Sequence, residues 1–297
     1  MLLTSLNTQV LRERLIILNK FVAVSSLFLL ACFAVAGETR VSITADLQGK
    51  WNMPVNYDGR AVLLLHGFQG HMDEVGDLYL DQSRSLAESG IASLRFNYTG
   101  EGERVGYVAT STLESRIRDT EQAFEFMKLQ VPEAVYGVIG FSLGGLTAMK
   151  VAVRHPDWFQ SMVLWSAAES MGMPNDEDYV RAARQALQKG KASYEDWTKI
   201  SLTREFVASF YGVVGSLGLE EYPGALLTIR GDMDFLPSHD RKWLSMIPTP
   251  DKMFLLIGGA DHIFNVLAEP RPSYGETVIR ETKSWFDRTL FRAEEDS

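Results

Sequence analysis

Ser142 sits in Gly140-Phe141-Ser142-Leu143-Gly144, a G-x-S-x-G turn between an apolar run that begins at Ala134 and an apolar stretch from Leu146 to Val153. A serine hydroxyl attacks a carbonyl only when a base takes its proton and when the side chain stands clear of its own backbone. A sharp strand-to-helix turn provides that clearance. Glycine two residues to either side of Ser142 lets strand and helix approach closely. A purely structural turn serine is the competing reading, and the strand before and the helix after the motif weigh against it.

A nucleophile of this kind needs an acid and a histidine downstream, each at a strand end. The buried-strand pattern Ala225 to Arg230 runs into Gly231-Asp232-Met233-Asp234-Phe235-Leu236-Pro237, and Met253 to Ile257 runs into Gly258-Gly259-Ala260-Asp261-His262. His262 follows the acid candidates and lies between a strand end and the closing helix, so it is the expected general base, with a structural loop histidine as the alternative. Asp234 and Asp232 compete to orient it, and Asp234 is favoured because Asp232, like Asp240 and Asp261, also reads as a turn or capping residue.

Charge developing on the substrate oxygen requires hydrogen-bond donors. Ala61 to Leu65 is followed by His66-Gly67-Phe68-Gln69-Gly70, a loop whose Phe68 amide is expected opposite the amide of Leu143. His66 with His71, Asp73 and Glu74 invites a metal reading, but the spacing lacks the helical zinc pattern and no cysteine is near. Acyl transfer by serine requires no metal and no cofactor.

These motifs together resemble the α/β-hydrolase superfamily, through His66-Gly67-Phe68, Gly140 to Gly144, Gly231 to Asp234 and Gly259 to His262. Within it the chain is most similar to small bacterial esterases of the cinnamoyl or feruloyl type, through His66 to Gly70, Gly90 to Asn97 and Gly259 to Phe264, over roughly Val41 to Phe291. The resemblance implies a Ser142, Asp234 and His262 triad with Phe68 and Leu143 as oxyanion donors. It departs from the family at the usual Gly-x-Gly-x-Ser loop, here Gly100-Glu101-Gly102-Glu103-Arg104. That segment is expected to be a solvated glycine-rich turn carrying charge near the site mouth.

The elements that must position these residues alternate. Strands are expected at 61–65, 91–96, 134–141, 161–166, 225–230 and 252–257, with helices near 78–88, 112–129, 143–154, 238–245 and 274–290. Early antiparallel strands lie around Val41–Ala45 and Trp51. This is an α/β fold: a mostly parallel sheet with helices on both faces. The stretch from about 167 to 222 is too long for an ordinary connection and is expected to be a helical lid, with helical patterns near 176–189 and 194–199. Its Met171, Met173, Tyr179, Tyr194, Trp197, Phe206, Phe210 and Tyr211 are expected mostly to pack the insertion, a few lining an acyl or aryl pocket.

Residues 1–36 read as a signal peptide: Arg12, Arg14 and Lys20 precede the uncharged Phe21 to Ala36, which ends in Ala34-Val35-Ala36. Residues 37–297 form the hydrolase domain, exported to the periplasm or secreted. Leu29-Leu30-Ala31-Cys32 also resembles a lipobox, so attachment to a membrane through a lipidated Cys32 is an alternative, as is an uncleaved anchor. The formal charge of −9 becomes −11 without the three basic residues and one acidic residue of the leader, which argues against nucleic acid and polyanionic substrates. The expected function is hydrolysis of a small-molecule carboxylic ester by a Ser-His-Asp acyl-enzyme route. Thioesterase, lipase and peptidase activities are alternatives on the same residues, and a non-catalytic module binding an apolar ligand is an alternative of another class.

Overall fold

Strand β3 (Arg60–Leu65) is apolar at every position after Arg60, as a strand covered on both faces must be. Successive side chains point to opposite faces. Ala61, Leu63 and Leu65 accordingly join one core cluster, and Val62 and Leu64 the other. The computed structural model describes residues 37–102, 108–172 and 176–291. The leader, Cys32, Met173 and the Glu103-Arg104 pair lie outside the described residues.

Around β3 an eight-stranded sheet forms from β1 (Gly37–Ser42), β2 (Gln48–Met53), β4 (Ala92–Phe96), β6 (Val135–Phe141), β7 (Ser161–Trp165), β10 (Ala225–Gly231) and β11 (Lys252–Ile257), in the order β1-β2-β4-β3-β6-β7-β10-β11. The pairs β1–β2 and β2–β4 are antiparallel, and every later neighbour is parallel. On one face pack α2 (Leu113–Gln130), α3 (Leu143–Arg154) and α6 (Asp240–Met246), through residues such as Phe124, Met149 and Trp243. On the other pack α1 (Leu78–Glu88) and α7 (Tyr274–Thr289), through Tyr79, Trp285 and Phe286. This is the mostly parallel sheet with helices on both faces that the alternating pattern implies.

Between β7 and β10 the chain builds α4 (Glu177–Lys189), the hairpin of β8 (Lys191–Glu195) and β9 (Lys199–Thr203), and α5 (Arg204–Phe210). The expected helix near 194–199 is therefore corrected: Tyr194 and Glu195 end one strand, Lys199 begins the next, and the insertion is mixed rather than helical. The short strand β5 (Val108–Ala109) pairs with β9, making a three-stranded sheet β5-β9-β8. Strand pairing wins here because Ile200 and Leu202 alternate inward with Ser201 between them, a period of two that a helix cannot use. Caps define the helices: Asp176 accepts the Tyr179 amide and Thr203 the Phe206 amide.

A third core forms where the insertion meets the body. Met171, Tyr179, Tyr194, Ile200, Phe206 and Phe210 are buried with Leu143 and Leu146 of α3, and Phe68 packs against them. Trp197 and Tyr211 are exposed.

Candidate active site

Strand β6 ends at Phe141, and Ser142 turns the chain into α3 with φ 52° and ψ −117°. A side-chain-bearing residue adopts such a conformation only where its surroundings enforce it. The enforcement is close packing. A Cβ on Gly140 would lie 2.6 Å from the Gly144 carbonyl oxygen, and one on Gly144 would lie 2.7 Å from the carbonyl oxygen of His66 and collide with that of Leu65. Backbone bonds finish the turn: Ser142 N donates to Trp165 O (2.9 Å), and Gly145 N and Ala168 N both donate to Ser142 O (3.0 Å).

At the ends of β10 and β11 stand Asp234 and His262. His262 Nδ1 donates to Asp234 Oδ1 at 2.8 Å, which leaves Nε2 free to accept from Ser142 Oγ at 3.1 Å. The imidazole lies between the Phe141 and Phe235 rings, with centroids 5.3 and 4.5 Å away. Asp234 is held on both oxygens, Oδ1 by the Leu236 amide (2.9 Å) and Oδ2 by Arg230 Nη1 (2.5 Å). Burial by itself would raise the Asp234 pKa. The hydrogen bond and charge of His262, the Arg230 charge and the Leu236 amide outweigh it and hold the carboxyl below its ordinary value.

The other aspartates have different partners. Asp232 accepts the Gly259 amide at 2.6 Å. Asp240 is buried and takes Arg230 Nε (2.6 Å) and Ser238 Oγ (2.8 Å). Asp261 accepts the amides of Ile263 and Asn265, closing its own turn. The structure thus brings together Ser142, His262 and Asp234 and leaves Asp232 outside the group.

Beside Ser142 runs the loop after β3. A Cβ on Gly67 would be 3.3 Å from Ser142 Cβ, so the loop lies directly against the serine. The Phe68 and Leu143 amides have no hydrogen-bond acceptor among the described residues. The Phe68 ring meets Phe206 of the insertion, with centroids 5.2 Å apart.

The four side chains of the metal reading all have other partners. His66 Nδ1 donates to Gly67 O (2.9 Å) and Nε2 accepts the Tyr98 amide (3.2 Å). Burial and the nearby Arg116 charge keep its pKa well below the usual imidazole value. Asp73 binds Lys50 and Arg95, His71 accepts the Asp73 amide, and Glu74 accepts the amides of Gly67 and Val75. Among the described residues no group of three or more His, Cys, Asp or Glu is placed to hold a metal ion.

Sequence reasoning missed the groups behind the site. Arg230, at the end of an apolar strand, holds Asp234, Asp240 and, through Nη2, the Ala167 carbonyl (2.5 Å). A charge closing an otherwise apolar run was the available signal. Glu101 was expected on a solvated turn. Its side chain is 1% exposed, binds Arg116 Nη1 at 2.8 Å and accepts from Ser111 Oγ. A buried arginine recruits it, and nothing in the local pattern marks Arg116 as buried.

Comparison with known proteins places the fold. Solved structures of similar fold include Est1E from Butyrivibrio proteoclasticus (18% identity, TM-score 0.64, covering 86% of this chain and 99% of that one). A Paleococcus ferrophilus monoacylglycerol lipase is 19% identical, with TM-score 0.61 over 80% of this chain and 97% of that one. A thermostable carboxyl esterase from Bacillus coagulans is 15% identical, with TM-score 0.63 over 87% of this chain and all (100%) of that one. No curated protein sequence matches. A family model described as Hydrolase_4, serine aminopeptidase S33, matches residues 58–209, about half of the chain and including the His66 loop and the Ser142 turn. The chain belongs to this Hydrolase_4 family of α/β hydrolases.

Proposed function

We propose that the protein is a carboxylic ester hydrolase acting through an acyl-enzyme. Ser142 Oγ attacks the ester carbonyl while His262 Nε2 takes its proton. His262 then gives that proton to the departing alcohol. Asp234 keeps the imidazole in the tautomer with Nδ1 protonated and stabilises the imidazolium. The amides of Phe68 and Leu143 receive the oxyanion, and water, deprotonated by His262, releases the acid. The observation that carries this reading is the unbroken chain from Ser142 Oγ through His262 to Asp234, at 3.1 and 2.8 Å, on the ends of three parallel strands.

Three neighbours of like fold support an ester over an amide: a carboxyl esterase, a monoacylglycerol lipase, and Est1E, one structure of which has ferulic acid bound. The apolar third core beside Phe68 supports an apolar acyl group, with the insertion acting as the lid. The family description, serine aminopeptidase, favours a second reading on the same residues: cleavage of an aminoacyl amide. Hydrolysis of matched p-nitrophenyl esters and aminoacyl p-nitroanilides, by wild type and Ser142→Ala, separates the two. Ester turnover and fluorophosphonate labelling that Ser142→Ala abolishes are expected. A folded wild type that neither turns over esters nor labels refutes the proposal. We also propose that residues 1–36 are an export leader, for which the mature N-terminus read by mass spectrometry is the test.

A further inference from the structure

The Phe68 amide can serve an oxyanion only if its peptide plane is held still. In a trans peptide the N–H points opposite to the preceding carbonyl. The Gly67 carbonyl is fixed by His66 Nδ1 (2.9 Å) and by the Gly70 amide (3.3 Å), so the Phe68 N–H faces away from both. The peptide before it, His66–Gly67, is held at its two ends by opposite charges. Arg116 Nη2 donates to the His66 oxygen at 2.6 Å, and Glu74 Oε1 accepts the Gly67 amide at 2.6 Å.

Both charged groups are buried. Arg116 comes from α2, is held by Glu101, and lies with its guanidinium carbon 3.7 Å from the centre of the Tyr98 ring. Glu74 lies under the loop, which is shaped around it: a Cβ on Gly70 would come within 2.8 Å of Glu74 Oε1. Glu74 itself adopts φ 60°, a conformation that an ordinary side chain avoids, and its second oxygen takes the Val75 amide at 2.9 Å. An apolar side chain would fill this space without burying a charge, so burial alone does not explain a carboxylate here.

We infer that Glu74 and Arg116 are positioning residues, a charged clamp on the His66–Gly67 peptide that aims the Phe68 amide at the substrate oxyanion. The inference rests on the proposed acyl-enzyme chemistry. The clamp touches neither substrate nor Ser142, so its removal lowers transition-state stabilisation and leaves ground-state binding in place.

The test uses Glu74→Gln, which keeps the shape without the charge, Glu74→Asp, which keeps the charge but retracts it, and Arg116→Lys at the other end. For each, kcat and KM are measured at pH 8, where the folded Glu74 carboxyl is ionised, on the best p-nitrophenyl ester, together with the affinity of the matching trifluoromethyl ketone, whose serine adduct carries the oxyanion. Thermal unfolding checks the fold. The expected result is a kcat lower by about 10- to 100-fold, KM within about twofold, and a loss of ketone affinity that tracks kcat/KM. Folded variants with kcat within about twofold of wild type, or with the loss confined to KM, overturn the inference. A crystal structure of the wild-type ketone adduct provides a check that needs no variant. There the oxyanion should meet the Phe68 and Leu143 amides with both clamp contacts kept, and an adduct with either contact broken overturns the clamp. A wild type without Ser142-dependent turnover defeats the underlying ester-hydrolase reading instead, so the two failures are distinguishable.

Discussion

Glu74 ties stability to pH in a direction opposite to that of most carboxylates. Burial pushes its pKa from 4.5 to about 7, against the amides of Gly67 and Val75 and the Arg116 charge, with Glu101 adding to the rise. Arg116 from α2 and Glu101 from the loop after β4 act on it by charge, and Tyr79 of α1 faces it. Below about pH 4.5 the carboxyl is protonated in the folded and unfolded chains alike. Between 4.5 and 7 the unfolded chain releases the proton while the folded chain keeps it, so this group's contribution falls as pH rises and is gone above 7. Integrated from pH 5 to pH 8, the loss is roughly 2–3 kcal/mol. Glu74→Gln cannot titrate. Its unfolding free energy relative to wild type should therefore shift in the variant's favour by roughly 2–3 kcal/mol between those two pH values, whatever the constant cost of the amide. Groups such as Asp234, whose lowered pKa acts in the opposite direction, are common to both proteins and cancel. Urea unfolding followed by tryptophan fluorescence at pH 5 and pH 8 measures it. A difference unchanged to within about 0.5 kcal/mol, or one of opposite sign, would refute the reasoning. With the clamp, the expectation is a variant that gains stability relative to wild type in alkali and yet turns over more slowly, the trade between stability and activity seen where a site needs an awkward group.

Other expectations follow from the same contacts. Asp234→Asn should lower kcat by on the order of 10⁴-fold by favouring the wrong imidazole tautomer, while Asp232→Asn, whose partner is the Gly259 amide, should change kcat by no more than about threefold; p-nitrophenyl ester kinetics on both would expose a misassignment. Arg230→Gln strands two buried carboxylates, Asp234 and Asp240, and should cost about 3–5 kcal/mol in urea unfolding. Gly144→Ala puts a methyl group against the Leu65 and His66 carbonyls. It should cost about 1–3 kcal/mol and abolish fluorophosphonate labelling, because α3 must move away from the oxyanion loop. Phe206→Ala removes a fully buried ring that contacts Phe68 and should cost about 3–5 kcal/mol, with KM for long acyl esters raised; a stable variant with unchanged KM would separate the insertion from the acyl pocket.

What was legible in the chain was local. Apolar runs of the right length marked β3, β6, β7 and β10, because a strand covered on both faces needs no polar alternation, and a similar run marked the partly exposed edge strand β11. Glycines flanking Ser142 marked the turn, because close approach of backbones leaves no room for a Cβ. Parallel strands share one carboxyl edge, so Ser142, Asp234 and His262, far apart in the chain, were expected along it. Tertiary structure alone decided which polar groups the interior would hold. Arg116, Glu101 and Glu74 have ordinary neighbours in sequence, Arg230 closes an apolar run without showing which carboxylates it meets, and each is tolerated inside by partners brought from other segments. The hairpin at 191–203 likewise depends on a distant partner, the strand Val108–Ala109, whose free edge no local pattern announces. Local sequence sets backbone conformation and which face is apolar; the pairing of buried charges is a property of contacts between segments, and only the folded chain brings those segments together.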